Sequence, residues 1–291
     1  MICRACGGVK SCEEITTYDF MLNKEKFMYD VCADCGTWLL RDIPADIGKY
    51  YKTDYYSYDN KETTGSIAHY RKLAKGIISD FKLTESTSVL DYGAGSISLL
   101  KAMYHEGVGE NGALYKLRAY DKFAPKIEYN GIKLQNTLPT DLKFDFIISK
   151  HCIEHEIDPN VQIKNIIDLL SPDGVANFVA PNPDSINARY FKGYWIGIDG
   201  PRHINIMPIP VFKTLVEING GEVIGSNTIG EAGDFLTSEL YKQGYKWKDR
   251  ESHIAKMSNE RFLEEYSFSY VSQQIDQGDM WSVTIRKRRN S

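Results

Sequence analysis

The sequence predicts an α/β protein, a sheet with helices on both faces preceded by a small metal-stapled module, and three observations predict it. Residues 88–98, Ser-Val-Leu-Asp-Tyr-Gly-Ala-Gly-Ser-Ile-Ser, run from an apolar strand end through a glycine turn into Ile97, Leu99, Leu100 and Met103 at helical spacing. Downstream, apolar strand runs alternate with helical patterns, the order that builds a parallel sheet. Upstream, two Cys-x-x-Cys pairs stand within the first 35 residues. A chain of 291 residues with 42% hydrophobic content can bury such a core and still carry a second module.

In chain order, Cys3-Arg-Ala-Cys6 and Cys32-Ala-Asp-Cys35 are knuckles, each followed by a glycine, Gly7 or Gly36, that lets backbone amides turn toward the sulfurs. Four thiolates from two knuckles close a tetrahedral zinc site, so residues 1–42 read as a zinc ribbon with Cys3, Cys6, Cys32 and Cys35 as ligands. Cys12 has no partner at knuckle spacing and reads as a small, partly buried residue. A closed four-cysteine site leaves no open position to activate water, so the module is structural or a substrate-facing platform. Residues 43–64 follow as a linker containing Lys49-Tyr-Tyr-Lys-Thr-Asp-Tyr-Tyr-Ser-Tyr58. Its tyrosines form either a wall for a sugar or base, or a linker packing its rings on the core.

Ile67, Tyr70, Ala74, Ile77 and Phe81 predict a helix over 66–81. At the glycine turn, Asp91 precedes the first glycine. A dinucleotide site meets a pyrophosphate with bare amides at this spot, and Asp91 would repel one; a ligand with an ammonium group suits Asp-x-Gly-x-Gly better. Glu106 to Gly112 is a glycine-rich loop, and Lys116 to Asp121 is a strand that ends in a carboxylate 30 residues after Asp91. Phe144 to Ser149 is a third strand, followed by Lys150-His-Cys-Ile-Glu-His155. Asp158-Pro159 then starts a helix that Ser-Pro-Asp-Gly174 stops, and the strand Val175 to Ala180 runs into Pro-Asn-Pro183.

Residues 190–205, Tyr-Phe-Lys-Gly-Tyr-Trp-Ile-Gly-Ile-Asp-Gly-Pro-Arg-His-Ile-Asn, are too rich in glycine and aromatics for a regular element, and long loops of such composition carry function. A helix from Pro210 to Gly220-Gly221, a strand over 222–229 and a closing strand over 280–287 complete the pattern. The stretch between those strands, 230–279, is an insertion whose Phe262, Leu263, Tyr266, Tyr270, Val271 and Ile275 predict a helix that caps the site or joins two subunits.

Asp91-Tyr-Gly-Ala-Gly95 resembles motif I of the class I S-adenosylmethionine methyltransferases. The later block Glu154-His155, Asp158-Pro159, Leu170-x-Pro-x-Gly174 and Pro181-Asn182 resembles the ubiquinone-biosynthesis-like group, as does Trp195 to His203, and the resemblance covers about residues 65–225. It implies a seven-stranded Rossmann-like sheet over 65–291, with S-adenosylmethionine held by Asp91, Tyr92, Gly93, Ala94, Gly95, Lys122, Lys150 and His151. Asp121 takes both ribose hydroxyls, Asn136 meets the adenine amine, and Tyr70 with Arg71 lies near the amino-acid end. The sequence departs from the motif at Ile97, where the third glycine would stand.

In this family a cysteine module and a tyrosine-rich segment precede the catalytic domain in enzymes acting on nucleotide-linked sugars or polysaccharide precursors. The expected activity is therefore methyl transfer to a small hydroxylated substrate of that kind, or a secondary-metabolite precursor. A hydroxyl nucleophile needs a base, and His155, His203 and His151 are the candidates, with Glu154 orienting. The alternative roles are a backbone hydrogen bond at the start of its helix for His155, a loop contact with Arg202 for His203, and cofactor lining for His151. Cys152 reads as a core residue.

The formal net charge of −4 gives no field to gather nucleic acid. That speaks against the second reading, a zinc-module RNA methyltransferase; the third is a non-catalytic protein whose pocket has degenerated at Ile97. No apolar run approaches the about 20 residues of a membrane span, and Met1-Ile-Cys-Arg starts no signal-peptide core, so the expected setting is the cytoplasm, with reduced thiols, no membrane partner and a homodimer as the candidate assembly.

Overall fold

The computed structural model describes residues 2–51, 63–107 and 116–289. Its central sheet has eight strands. β4 (Val89–Tyr92) lies between β5 (Leu117–Tyr120) and β8 (Phe144–Lys150). Outward from β5 come β7 (Ile132–Gln135) and β6 (Glu128–Tyr129); outward from β8 come β9 (Leu170–Pro181), β12 (Met280–Lys287) and β11 (Gly221–Ile229). The strands from β7 to β9 pair in parallel, and β12 pairs antiparallel with both β9 and β11. Six of these strands stand where the sequence analysis places them, and β7 completes the seven that the resemblance implies. The eighth, β6, is half of a hairpin whose turn is Asn130-Gly131, with φ of 46° and 81° and Tyr129 opposite Ile132. Asn-Gly is the residue pair that a two-residue hairpin turn demands.

The inner strands are buried on both faces, which is why β4 and β8 read as near-continuous apolar runs. One face is covered by α1 (Thr64–Phe81) and α2 (Ser98–His105), the other by α3 (Pro159–Leu169) and α5 (Ile209–Ile218). Asp158 caps α3 through the Asn160 amide with Pro159 in its first turn, and Thr63 and Ser66 form a capping box at α1. The parallel arrangement brings every strand's C-terminal end, and the loops that follow, to one edge.

The N-terminal module is a second sheet: β1 (Ser11–Tyr18), β2 (Lys26–Cys32) and β3 (Trp38–Leu40), all antiparallel. Its fourth strand, β10 (Asn205–Ile206), comes from the glycine- and aromatic-rich loop some 165 residues away, since Asn205 pairs with Leu39 and Ile206 with Trp38. That loop holds α4 (Ile186–Phe191) and two 3-10 turns over 192–194 and 196–198. Phe191, Trp195, Ile198, Ile204 and Ile206 from the loop share one core with Ile15, Tyr29, Trp38 and Leu40. Each such large side chain contributes about 1.5–3 kcal/mol when fully buried. Five of them make loop and module one packed unit.

Of the linker tyrosines, Tyr50 is buried edge-on to Phe27 and donates to Glu25, and Tyr51 stacks on Phe123. Tyr55, Tyr56 and Tyr58 lie outside the described residues, as does the glycine-rich loop beyond Gly107. The 230–279 stretch folds as α6 (Asp234–Lys242), α7 (Arg250–Ile254) and α8 (Asn259–Gln274). The helix expected over the apolar residues of this stretch is α8, and Phe262, Leu263, Tyr266, Tyr270, Val271 and Ile275 on or next to it are all more than half exposed.

Candidate active site

The strand ends assemble two adjoining groups of residues. At the first, β4 ends in Asp91 and Tyr92 and turns through Gly93 (φ 85°) and Gly95 (φ 51°), the left-handed conformations that glycine adopts without strain. Space also selects Gly93, because a Cβ there would stand 2.6 Å from the Cys152 sulfur. Ile97 at the third glycine position keeps a glycine-like φ of 56° while its side chain is fully buried. A β-branched residue adopts that backbone only where packing enforces it.

The amides of this turn are already used. Gly93 and Ala94 donate to the Tyr120 carbonyl at 2.7 and 3.0 Å, and Gly95 donates to Asp121 Oδ2 at 3.0 Å. The other Asp121 oxygen accepts from the Phe123 and Ala124 amides, both at 2.9 Å. So the turn is no anion cradle, and Asp121, expected only to meet a ribose, also ties β5 to the glycine turn. Asp91 is 5% exposed; burial first, then the neighbouring Asp121, pushes its carboxyl up to about 7, against the pull of Lys150. Tyr92 packs edge-on to Tyr120, and burial pushes its phenol up.

Asn136 is pinned by its amide nitrogen, which donates to the carbonyls of Asp121 and Ala124 at 2.8 and 3.0 Å and leaves its oxygen to face outward. Lys122 is exposed, its ammonium 5.3 Å from the Phe123 ring centre. Tyr70 feels the Asp91 charge, and burial pushes its phenol up. Arg71 turns away from this group to pair with Glu106 at 2.8 Å. Tyr70 and Arg71 line a cavity of about 340 Å³ between α1 and α2 that reaches none of residues 91–95 and none of the three candidate histidines.

The second group surrounds a cavity of about 180 Å³ lined by Lys150, His151 and His203 among others. His151 ends β8 with φ 51°, and its Nδ1 lies 3.3 Å from Glu154 Oε1. Burial and the adjacent Lys150 take its imidazole down to about 4. Glu154 is 1% exposed and its Oε2 has no hydrogen-bond partner. Burial alone would raise its carboxyl, but the His151 hydrogen bond and the charges of His203 and His155 outweigh that and bring it to about 2. His203 Nδ1 meets the Gly197 carbonyl at 2.8 Å, which assigns the proton to Nδ1. Its Nε2 faces Glu154 Oε1 at 3.8 Å and Asp199 Oδ2 at 4.0 Å.

His155 sits behind this pair. Its ring packs edge-on to His203 at 4.8 Å, its Nδ1 meets the Arg202 carbonyl and the Tyr51 hydroxyl, both at 2.9 Å, and it does not line the cavity. Its alternative role is a backbone hydrogen bond at the start of its own helix; the bond observed runs instead to the Arg202 carbonyl in the distant loop. The inserted stretch over 230–279 supplies Glu231, Asp234, Tyr241 and Trp247 to the cavity wall.

The four-cysteine module holds the loop that carries His203. Arg4, inside the first knuckle, donates to Asn205 Oδ1 at 2.8 Å and to the carbonyls of Leu40 and Ile204, both at 3.0 Å. Tyr29 donates to the His203 carbonyl at 2.5 Å. Arg202 is fully buried between Asp19 at 2.9 Å and Asp199 at 2.6 Å. The four knuckle sulfurs lie within 4.8 Å of one another, with Cys3–Cys35 at 3.7 Å and Cys6–Cys32 at 3.6 Å. Bonds of about 2.3 Å from sulfur to a tetrahedral zinc set sulfur–sulfur edges of about 3.8 Å. The donor set therefore fits zinc in number, chemistry and spacing. Gly7 and Gly36 have φ of 76° and 74°, as the knuckles require, and Cys12 stands apart against the Val31 carbonyl.

The strand order with its antiparallel penultimate pairings, the glycine turn and the acid ending β5 define a class I S-adenosylmethionine-dependent methyltransferase domain. The family model described as "Methyltransferase domain" matches residues 67–225, more than half of the chain, and the chain belongs to that family. No curated protein sequence matches the chain significantly. Among solved structures, phosphoethanolamine N-methyltransferase 2 of Haemonchus contortus in complex with S-adenosyl-L-methionine superposes with a TM-score of 0.50 at 13% identity, over 87% of this chain and 62% of that one. A second structure of that enzyme, with phosphomonomethylethanolamine and S-adenosylhomocysteine, gives 0.45 at 16% identity over 75% and 53%, so this chain spans about half its length. The 1,6-didemethyltoxoflavin-N1-methyltransferase of Burkholderia thailandensis gives 0.47 at 14% identity over 89% and 98%. No helix among the described residues is long and apolar enough to cross a membrane.

Proposed function

We propose that the protein transfers a methyl group from S-adenosylmethionine to a hydroxyl of a small polar acceptor seated against His151 and His203, with a structural zinc ion in the four-cysteine module. One observation carries the reading: His203 lines a cavity at the C-terminal strand edge, and its Nε2, left without a proton by the Gly197 contact at Nδ1, lies 3.8 and 4.0 Å from Glu154 and Asp199. The sulfonium supplies the activated methyl group when the cofactor is bound, so the protein has only to orient two molecules and take a proton.

Asp91 is the counter-ion for the cofactor's ammonium, Asp121 with its remaining lone pairs takes ribose hydroxyls, and the outward oxygen of Asn136 accepts from the adenine amine. Gly93, Ala94 and Gly95 give close approach, while Tyr70, Tyr92, Lys122, Lys150 and His151 flank the cofactor. His203, fixed in one tautomer by Gly197, removes the acceptor proton, and the two carboxylates stabilise the imidazolium that results. Glu154 and His155 position it. The cavity takes one sugar-sized group, which suits the sugar of a nucleotide-linked or polysaccharide precursor better than a stretch of RNA.

Calorimetric titration with S-adenosylhomocysteine tests this: a saturable heat at one site per chain is expected, and a folded protein that takes up none ends the reading. An RNA acceptor would instead appear as binding that falls steeply with salt.

A further inference from the structure

Behind the cavity wall two histidines and a carboxylate come together. One ring nitrogen from each of His155 and His203 and one carboxylate oxygen of Glu154 lie within 4.8 Å of one another. His203 Nε2 stands 3.8 Å from Glu154 Oε1, and the two rings pack edge-on at 4.8 Å. Bonds of about 2.0–2.2 Å from imidazole nitrogen and carboxylate oxygen to a tetrahedral ion set ligand–ligand edges of about 3.4 Å. The widest span the trio allows exceeds that edge by at most about 1.4 Å, a shift that side-chain rotation supplies.

The trio differs from a chance cluster in how its atoms are used. Glu154 is 1% exposed, its Oε2 has no hydrogen-bond partner, and its ion-pair partners among the described residues are His151 and His203, with no lysine or arginine. Buried carboxylates are normally paired with a cation or bound to a metal. Both histidines commit Nδ1 to a backbone carbonyl, His203 to Gly197 at 2.8 Å and His155 to Arg202 at 2.9 Å. A carbonyl oxygen only accepts, so each Nδ1 carries the proton and each Nε2 the lone pair. Metal-ligating histidines almost always donate their other N–H in this way, and the bond fixes the ring before the ion arrives. His203 also lines the cavity, which gives an ion its way in.

We propose that Glu154, His155 and His203 form a second metal site, separate from the four cysteines, for a divalent transition ion such as zinc. Two imidazoles and a carboxylate are the donors of three-ligand zinc sites, whereas magnesium and calcium favour oxygen alone. An ion bound here uses the Nε2 lone pair with which His203 would take the acceptor's proton. The metal-loaded and proton-accepting states therefore exclude each other, and the ion is a brake on methyl transfer. The brake, unlike the site, rests on the reading of His203 as the base.

The test uses the full chain with its cysteines already loaded, one zinc per chain by metal analysis, to which cobalt(II) is added. One further ion per chain is expected, with a visible spectrum of nitrogen and oxygen ligands, no sulfur charge-transfer bands, and no displacement by excess magnesium. Glu154→Gln, His155→Gln and His203→Asn should each weaken that binding by about tenfold or more, with S-adenosylhomocysteine affinity held. His155 is half-buried, so its variant serves should Glu154→Gln fail to fold. With zinc in place of cobalt, the nitrogen NMR resonance of His203 Nε2 should move on binding while that of Nδ1 stays. No second ion, sulfur bands, displacement by magnesium, binding that survives the substitutions, or an unmoved His203 Nε2 each overturns the proposal. Failure to bind S-adenosylhomocysteine would instead undo the methyltransferase reading, and the brake with it, while leaving the site.

Discussion

The proposed cofactor end and the proposed acceptor end of the site are built on opposite plans. The first is local: Asp91 to Gly95 is one turn, and Asp121 ends the neighbouring strand and bonds directly to that turn. The second gathers the loop over 192–206, the inserted stretch over 230–279 and the N-terminal module, which meet only in three dimensions. A local turn folds with its sheet, whereas the proposed acceptor end depends on the sheet of the four-cysteine module, whose last strand is part of the loop that carries His203. The two ends should therefore fail separately, and the most direct way to break the comparison is to take the metal away.

Chelation of zinc, or Cys32→Ser, should abolish methyl transfer while leaving the S-adenosylhomocysteine dissociation constant within about threefold. Structural zinc contributes on the order of 10 kcal/mol to such modules, far more than the hydrogen bonds from Arg4 could replace. Parallel loss of cofactor affinity, measured by calorimetry on the chelated protein, would show that the ends are not separable. Next in size, His203→Ala should lower kcat by about 10²–10⁴ with cofactor affinity unchanged. His155→Ala, which disturbs His203 only through ring packing, should cost less; an equal or larger loss would make His155 the base. Arg202→Leu probes the frame and not the chemistry. It leaves Asp19 and Asp199 buried with no counter-ion, so a loss of about 3–5 kcal/mol is expected in the denaturant midpoint, against about 0–1 kcal/mol for breaking the exposed Arg286–Glu222 pair.

The same contrast decides what could be read from the sequence. Val89 to Gly95 is legible because strand, glycines and acid are neighbours in the chain, and both glycines adopt the positive φ that the turn needs. The knuckles are legible for the same reason. The parting of His155 from His203 is not, since it depends on Arg202 and Tyr51 arriving from elsewhere. Nor is the use of Asn205-Ile206 as a strand: two residues carry no periodicity, and only pairing with β3 defines them. The acidic side of the cavity was hidden because Glu231, Asp234 and Asp279 lie at the two ends of an insertion whose apolar helix drew the eye, and that helix faces outward. Asn130-Gly131, by contrast, is a local signal for the β6–β7 hairpin, because that residue pair suits a two-residue turn wherever the chain places it.

The smallest expected effect sharpens the cofactor end alone. Asp91 titrates near 7 when folded, well above an ordinary carboxyl, because it is buried and faces Asp121. A group held protonated in this way favours folding at low pH, and that contribution is lost as pH rises from about 4 toward 7. Without cofactor, Asp91→Asn should therefore be at least as stable as the wild type at pH 8, although it removes a charge from Lys150. With cofactor the order reverses. An ammonium seated against Asp91 favours the ionised carboxylate, so wild-type affinity for S-adenosylhomocysteine should strengthen between pH 6 and 8, whereas the variant binds about tenfold more weakly at pH 8, as expected for one lost charge-assisted contact, and shows little pH dependence. Melting temperatures and calorimetric affinities over that range read both signs. A variant that binds as well as the wild type at pH 8 would take the ammonium away from Asp91 and leave the glycine turn as the cofactor's only local support.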